Sequence, residues 1–263
     1  MAKRSLIISG VGAAWRFLVP AWRRGWGAML CAGAVLGAVL ALQLWRPRSP
    51  WRLEALLIAV AAAVMAQGGL YRLALDRGRP GPAGLQWGGV EWRLGAVLGL
   101  TAVFLSVLGM LAFVVVLAFA FGVASSGHGF VTATPATWAT AVDGRGRVVV
   151  AAVGGSCFAG LIWAGVRVSF GSVASVDRGR IQMLASWPST RRLVAPIVVG
   201  RILLAVVPIG FAAVVLTGMA GASHPPAALY WAASLAAGLA ITGLWLPLSV
   251  GLMAYLYRHS PTA

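Results

Sequence analysis

Glu54, Asp76, Glu91, Asp143 and Asp177 are the only carboxylates in the chain. Acid–base catalysis, metal binding and nucleophile activation all draw on groups of this kind. All five fall between long apolar runs or at their edges, and no two are spaced to act together inside one. Asp76 and Asp177 each precede an arginine, which suits a loop ion pair or a turn. His128 and His224 share one expected face without a third ligand, too little for a metal centre. Cys31 and Cys157 lie within apolar runs, where a thiol is a small hydrophobe. No nucleophile pattern or glycine-rich phosphate cradle is present. The expectation is therefore no catalytic residue, no cofactor, no metal and no enzyme.

Arg201 stands apart. If the run around it starts to cross a membrane at Leu193, this arginine lies about 12 Å inside, where an ionisable group is a functional candidate by default. If the crossing starts at Ile202, the guanidinium reaches back to the headgroups. Residues 202 to 222 are long enough alone, which favours the second reading.

The elements that hold these residues follow from composition. The chain of 263 residues is 60% hydrophobic and 10% charged, with a mean hydropathy of +0.89, far from the roughly one-quarter charged residues of soluble domains. Such a chain is an all-α integral membrane protein. About 20 residues cross the apolar core of a bilayer. On that measure spans are expected at about 27–45, 55–71, 95–123, 148–170, 198–220 and 228–257, forming one six-span domain. Residues 1–26 precede it as an amphipathic segment at the interface, kinked or split at Pro20. The run from 94 to 124 exceeds a bilayer's need, so it tilts or begins on the surface. Pro208 and Pro247 are expected to bend spans five and six. Gly33/Gly37 and Gly95/Gly99 are pairs that permit close helix approach.

The net charge of +16 does not point to nucleic acid, because the arginines cluster at the ends of apolar runs. With the N-terminus inside, fifteen basic residues fall on one side and five on the other, leaving Arg201 uncounted. That bias places both termini and the basic loops in the cytoplasm of a bacterial inner membrane. Basic and aromatic residues at these edges are candidate contacts for anionic lipid. They are Arg23, Arg24, Tyr71, Arg72, Arg77, Arg79, Trp92, Arg93, Arg178, Arg180, Trp187, Arg191 and Arg192. Gln67, Ser106, Ser156, Thr217 and Thr242 are mild polar groups expected to bond locally, marking no permeation path.

Asp76-Arg77-Gly78-Arg79 recurs as Asp177-Arg178-Gly179-Arg180, each before a Trp and Arg that open the next span. The echo suggests three units, each a basic segment followed by a two-span hairpin. Gly69-Leu70-Tyr71-Arg72-Leu73, Gly84-Leu85-Gln86-Trp87, Glu91-Trp92-Arg93 and Ser186-Trp187-Pro188 resemble a group of uncharacterised bacterial multi-pass proteins. They are also similar, more loosely, to the glycerophosphoryl diester phosphodiesterase membrane-domain family. In that pattern a Trp-Pro segment is followed by glycine, whereas here Thr190 leads into Arg191-Arg192. The resemblance implies helical spans without the phosphodiesterase chemistry, which belongs to a separate barrel domain.

The function expected from these observations is non-enzymatic interaction with anionic lipids or with membrane-protein partners, including a second copy of the chain. The alternative is a small permease or exporter of an anionic or apolar solute. A cavity at Arg201 favours the alternative, and a close-packed centre opposes it.

Overall fold

The computed structural model describes residues 2–45, 50–78, 81–128, 144–184, 187–220 and 226–260. The chain is an all-α membrane protein in which six helical segments are long and apolar enough to span a bilayer. No strand occurs among the described residues. Arg79, Asp143 and His224 lie outside them.

Helix α1 covers Ala2–Trp45 without interruption, so the expected interfacial segment and the first span are one helix. Pro20 cannot donate to the carbonyl of Arg16, which costs a bond. Ala14, Phe17 and Ala21 flank it and belong to the packed core, and that packing carries the helix through the proline. Helix α2 (Arg52–Leu75) ends at Asp76, which adopts the left-handed conformation (φ 54°) and donates its backbone N–H to the Arg72 carbonyl. After a short turn at Pro82–Gly84, helix α3 covers Gly89–His128, 40 residues or roughly 60 Å. It opens before the expected residue 95 and takes Glu91, Trp92 and Arg93 into its first turns.

Helices α4 (Gly144–Val168) and α5 (Phe170–Arg178) correct the expected boundary of span four. The first part of the second basic loop is helical, because Phe170, Val173, Ala174 and Val176 give it a face to bury. Phe170 packs edge-to-face on Tyr257 at 5.8 Å. Helix α6 covers Val194–Ala220 with Pro208 inside it. The sixth span is built of α7 (Ala227–Ala240), a π-helical stretch at Ile241–Trp245 and α8 (Leu246–Arg258).

The core lies where α1, α2 and α8 meet, with α6 and α7 against them. α8 is buried almost all round. The α3–α4 hairpin stands at the margin: no residue in the most apolar window of α3 is buried. Such an apolar surface is tolerable in lipid and would not be in water. Gly10, near the start of α1, faces Leu252 and Leu256 of α8, and Arg258 pairs with Asp76 and Arg77 with Asp177, so the start of α1, the end of α8 and the basic segments after α2 and α4 lie on one face of the bundle.

The π-helical stretch has a specific cause. Pro247 has no N–H, which leaves the Gly243 carbonyl without its helical donor. The Trp22 indole Nε1–H fills that place at 2.9 Å, and the ring covers Gly243 so closely that a Cβ there would lie 2.8 Å from it. Trp22 thus ties α1 to the sixth span. Trp22→Phe keeps the ring and removes the donor. It is expected to lower stability by about 1–2 kcal/mol, read as a fall in the thermal midpoint of the detergent-solubilised protein. An unchanged midpoint would contradict the assignment.

Candidate functional site

Leu193 donates its N–H to the Thr190 carbonyl at 2.9 Å, and α6 begins one residue later. Arg201 therefore sits two turns into the helix, about 10 Å along it. Its side chain lines a cavity of about 660 Å³ bounded by α2, α3, α4, α5 and α6. The volume falls within the usual range for sites that take a small organic molecule. The Arg201 side chain is half-buried, and its Nε is buried with no hydrogen-bond partner among the described residues. The three ion pairs among the described residues engage Glu91, Asp177 and Asp76, and none engages Arg201.

The polar lining beside Arg201 consists of Gln67, Tyr71, Thr101, Ser169 and Ser172. The Tyr71 hydroxyl is within electrostatic reach of Arg201. Ser169 interrupts the helix between α4 and α5, with its hydroxyl on the Val166 carbonyl at 2.7 Å. Gly165 removes a side chain from the wall opposite Leu105, where a Cβ would come to 3.7 Å. A helix break and a glycine therefore leave the space open. Gln67 was expected to mark no path, and it lines this cavity. By contrast, Ser156, Thr217 and Thr242 do bond back to carbonyls four residues earlier, at 2.8, 2.7 and 3.0 Å.

The other candidate residues divide into two groups. Tyr71 and Arg72 are buried: Arg72 turns toward α3, and Tyr71 lines the Arg201 cavity. Arg72 forms an ion pair with Glu91, which is wholly buried. The second carboxylate oxygen of Glu91 accepts the Gly88 N–H at 2.9 Å. Arg77 pairs with Asp177 at 2.8 Å, Arg93 donates to the Gly89 carbonyl at 2.8 Å and to that of Gly179, and Arg178 donates to Gln182 at 3.1 Å. Trp187 is half-buried and meets Trp163 edge-on at 5.3 Å. The guanidinium of buried Arg167 lies 5.0 Å from the Trp187 ring centre. Arg23, Arg24, Trp92, Arg180, Arg191 and Arg192 remain exposed on the surface.

The tetrapeptide echo does not repeat as geometry. Asp76 is the left-handed residue that ends α2, whereas Asp177 lies within α5 and Gly179, at φ 66°, ends that helix. The two copies instead bind across the bundle through Arg77–Asp177, while Asp76 takes Arg258 at 3.0 Å. Both aspartates form the expected ion pairs, with partners distant in sequence, although Asp177 does so from within a helix and not from a loop.

Among the described residues no group of three His, Cys, Asp or Glu side chains could hold a metal ion. Comparison with protein-family models, curated proteins and solved structures finds no match to this chain. Chemistry must therefore be read from the cavity alone. It offers one cation, several neutral hydrogen-bonding groups and aliphatic walls. A guanidinium in such a lining can attract a negatively charged group.

Proposed function

We propose that the protein is a non-enzymatic small permease or exporter that admits an anionic, partly apolar solute into the Arg201 cavity. It would lie in a bacterial inner membrane with both termini cytoplasmic. The observation that carries this reading is a guanidinium within a membrane-spanning helix, without a carboxylate partner among the described residues, lining a cavity that a small organic molecule can fill. A cation there is costly, and an anionic ligand offsets the cost only while bound, which is how a binding step becomes selective.

The exposed Arg23, Arg24, Arg180, Arg191 and Arg192 support a complementary role. They form a positive collar toward anionic lipid, each worth about 1 kcal/mol near such a surface. The collar holds the bundle at the membrane, and the cavity does the selecting.

Hexanesulfonate stays charged and crosses a bare bilayer poorly, so its addition to proteoliposomes on a solid-supported membrane is expected to give a charge displacement. Arg201→Gln is expected to reduce that signal at least tenfold while leaving the helical circular-dichroism spectrum and gel-filtration profile unchanged. No signal from the wild type, or full signal from a folded Arg201→Gln, would remove the permease reading.

A further inference from the structure

The directions of the surrounding helices show how the cavity's polarity is distributed. α2 runs toward the basic face and α3 runs away from it. α4 and α5 run toward it, and α6 runs away. On that frame Tyr71, Ser169, Ser172 and Arg201 lie toward the basic face, with Val198 and Ile202 beside them, whereas Leu105, Leu161 and Ile162 lie toward the opposite one. Gln67 and Thr101 fall between. The contact of Gly165 with Leu105 fixes the common level of α3 and α4 at the apolar end. The cavity's polar groups are therefore gathered toward one end, among apolar neighbours, and the other end is aliphatic.

We infer that its ligand is an amphiphile with a single negative charge. The head would sit against Arg201 and Tyr71, and the unbranched apolar tail would point away from the basic face, between α3 and α4. This rests on the proposed function and narrows it. The charge count sets the head: one guanidinium with no acid beside it neutralises one negative charge, and a dianion would leave the second unpaired at low dielectric. The walls set the tail. From Ser172 back to Leu161 is about 16 Å along the helices, the reach of a chain of about twelve carbons. Tyr71 and Ser172 add neutral hydroxyl donors that suit a carboxylate, sulfonate or phosphodiester oxygen equally.

The test uses the full-length protein in zwitterionic nanodiscs with tritiated dodecanesulfonate, measuring saturable binding and its displacement. Binding is expected at one site, at least tenfold tighter than that of butanesulfonate, with dodecanol a poor competitor. Arg201→Gln should lose at least tenfold in affinity, and Arg201→Lys, which retains the charge, should keep part of it. Leu105→Trp, filling the apolar end, should weaken dodecanesulfonate and leave butanesulfonate as before. Butanesulfonate binding as tightly as dodecanesulfonate, still dependent on Arg201, would overturn the tail and leave the anion permease standing. Equal binding of dodecanol would overturn the head. Absence of any binding that depends on Arg201 would overturn both this inference and the function beneath it. Competition by dodecanoate against lysophosphatidylglycerol then separates a free fatty anion from a lipid, and stronger competition by either supports the assigned chemistry.

Discussion

Arg72→Ala is expected to destabilise the protein by about 3 kcal/mol or more, because it strands a carboxylate that nothing else among the described residues neutralises. Glu91 is wholly buried and is held by two donors, the Arg72 guanidinium and the Gly88 N–H. Gly68 leaves the space for it, since a Cβ at that position would lie 2.5 Å from its Oε1. Without Arg72 the carboxylate must take a proton or draw in water, and either loosens α2 from α3. Glu91→Gln should cost less, since the amide still accepts from Gly88 and can be buried neutral. The double variant Arg72→Met with Glu91→Leu should recover much of the loss, as replaced buried pairs commonly do. Thermal midpoints in detergent for the wild type, Arg72→Met, Glu91→Leu and the double variant give a double-mutant cycle. Additive single effects would show that the two side chains do not act as a pair. The cavity supplies a second readout: Tyr71, next to Arg72, lines it, so Arg72→Ala should also weaken anion binding.

That pair marks the boundary of what the sequence reveals. The spans were legible because an apolar run has one stable way to satisfy its backbone in lipid, as a helix. Arg201 was legible as a charge in such a run. Whether an arginine at a span edge faces lipid or protein was not: Arg24 and Arg72 look alike in sequence, yet the first is exposed and the second is buried. The difference is made by Glu91, 19 residues further on, through a turn whose course no local pattern dictates. The two Asp-Arg-Gly-Arg copies make the same point, since identical residues end one helix at the aspartate and the other at the glycine.

The polar lining of the cavity was hidden for a related reason. Gln67, Thr101 and Ser172 come from three helices and Ser169 from a break between two, and a single hydroxyl or amide in an apolar run usually bonds its own backbone. Ser156 and Thr217 do so. Only the convergence of several such groups on one arginine sets the site apart, and convergence is a property of packing.

Packing also decides which glycines matter. Gly238→Ala is expected to cost about 3 kcal/mol, although alanine is the better helix former by about 1 kcal/mol. At Gly238 of α7 a Cβ would lie 2.7 Å from the Gly37 nitrogen and 3.0 Å from its Cα, and a Cβ on Gly37 would lie 2.7 Å from the Leu235 Cα. Backbone meets backbone across this seam, so no side chain can turn aside to make room. Forcing α1 and α7 apart would also break the reach of the Thr242 hydroxyl to the Met29 carbonyl, now 3.1 Å. The sequence pairs divide accordingly: Gly33 and Gly37 pack within the bundle, whereas Gly99 has nothing within 4 Å and Gly95 meets only Val64, at 3.8 Å. Gly210→Ala, likewise with nothing within 4 Å of the added methyl, is the control and is expected to leave the thermal midpoint unchanged or slightly raised. If Gly238→Ala behaved as Gly210→Ala does, α1 and α7 would not be in backbone contact. A large loss at Gly238 alone would show that their approach, and not helix propensity, sets the stability of this half of the bundle.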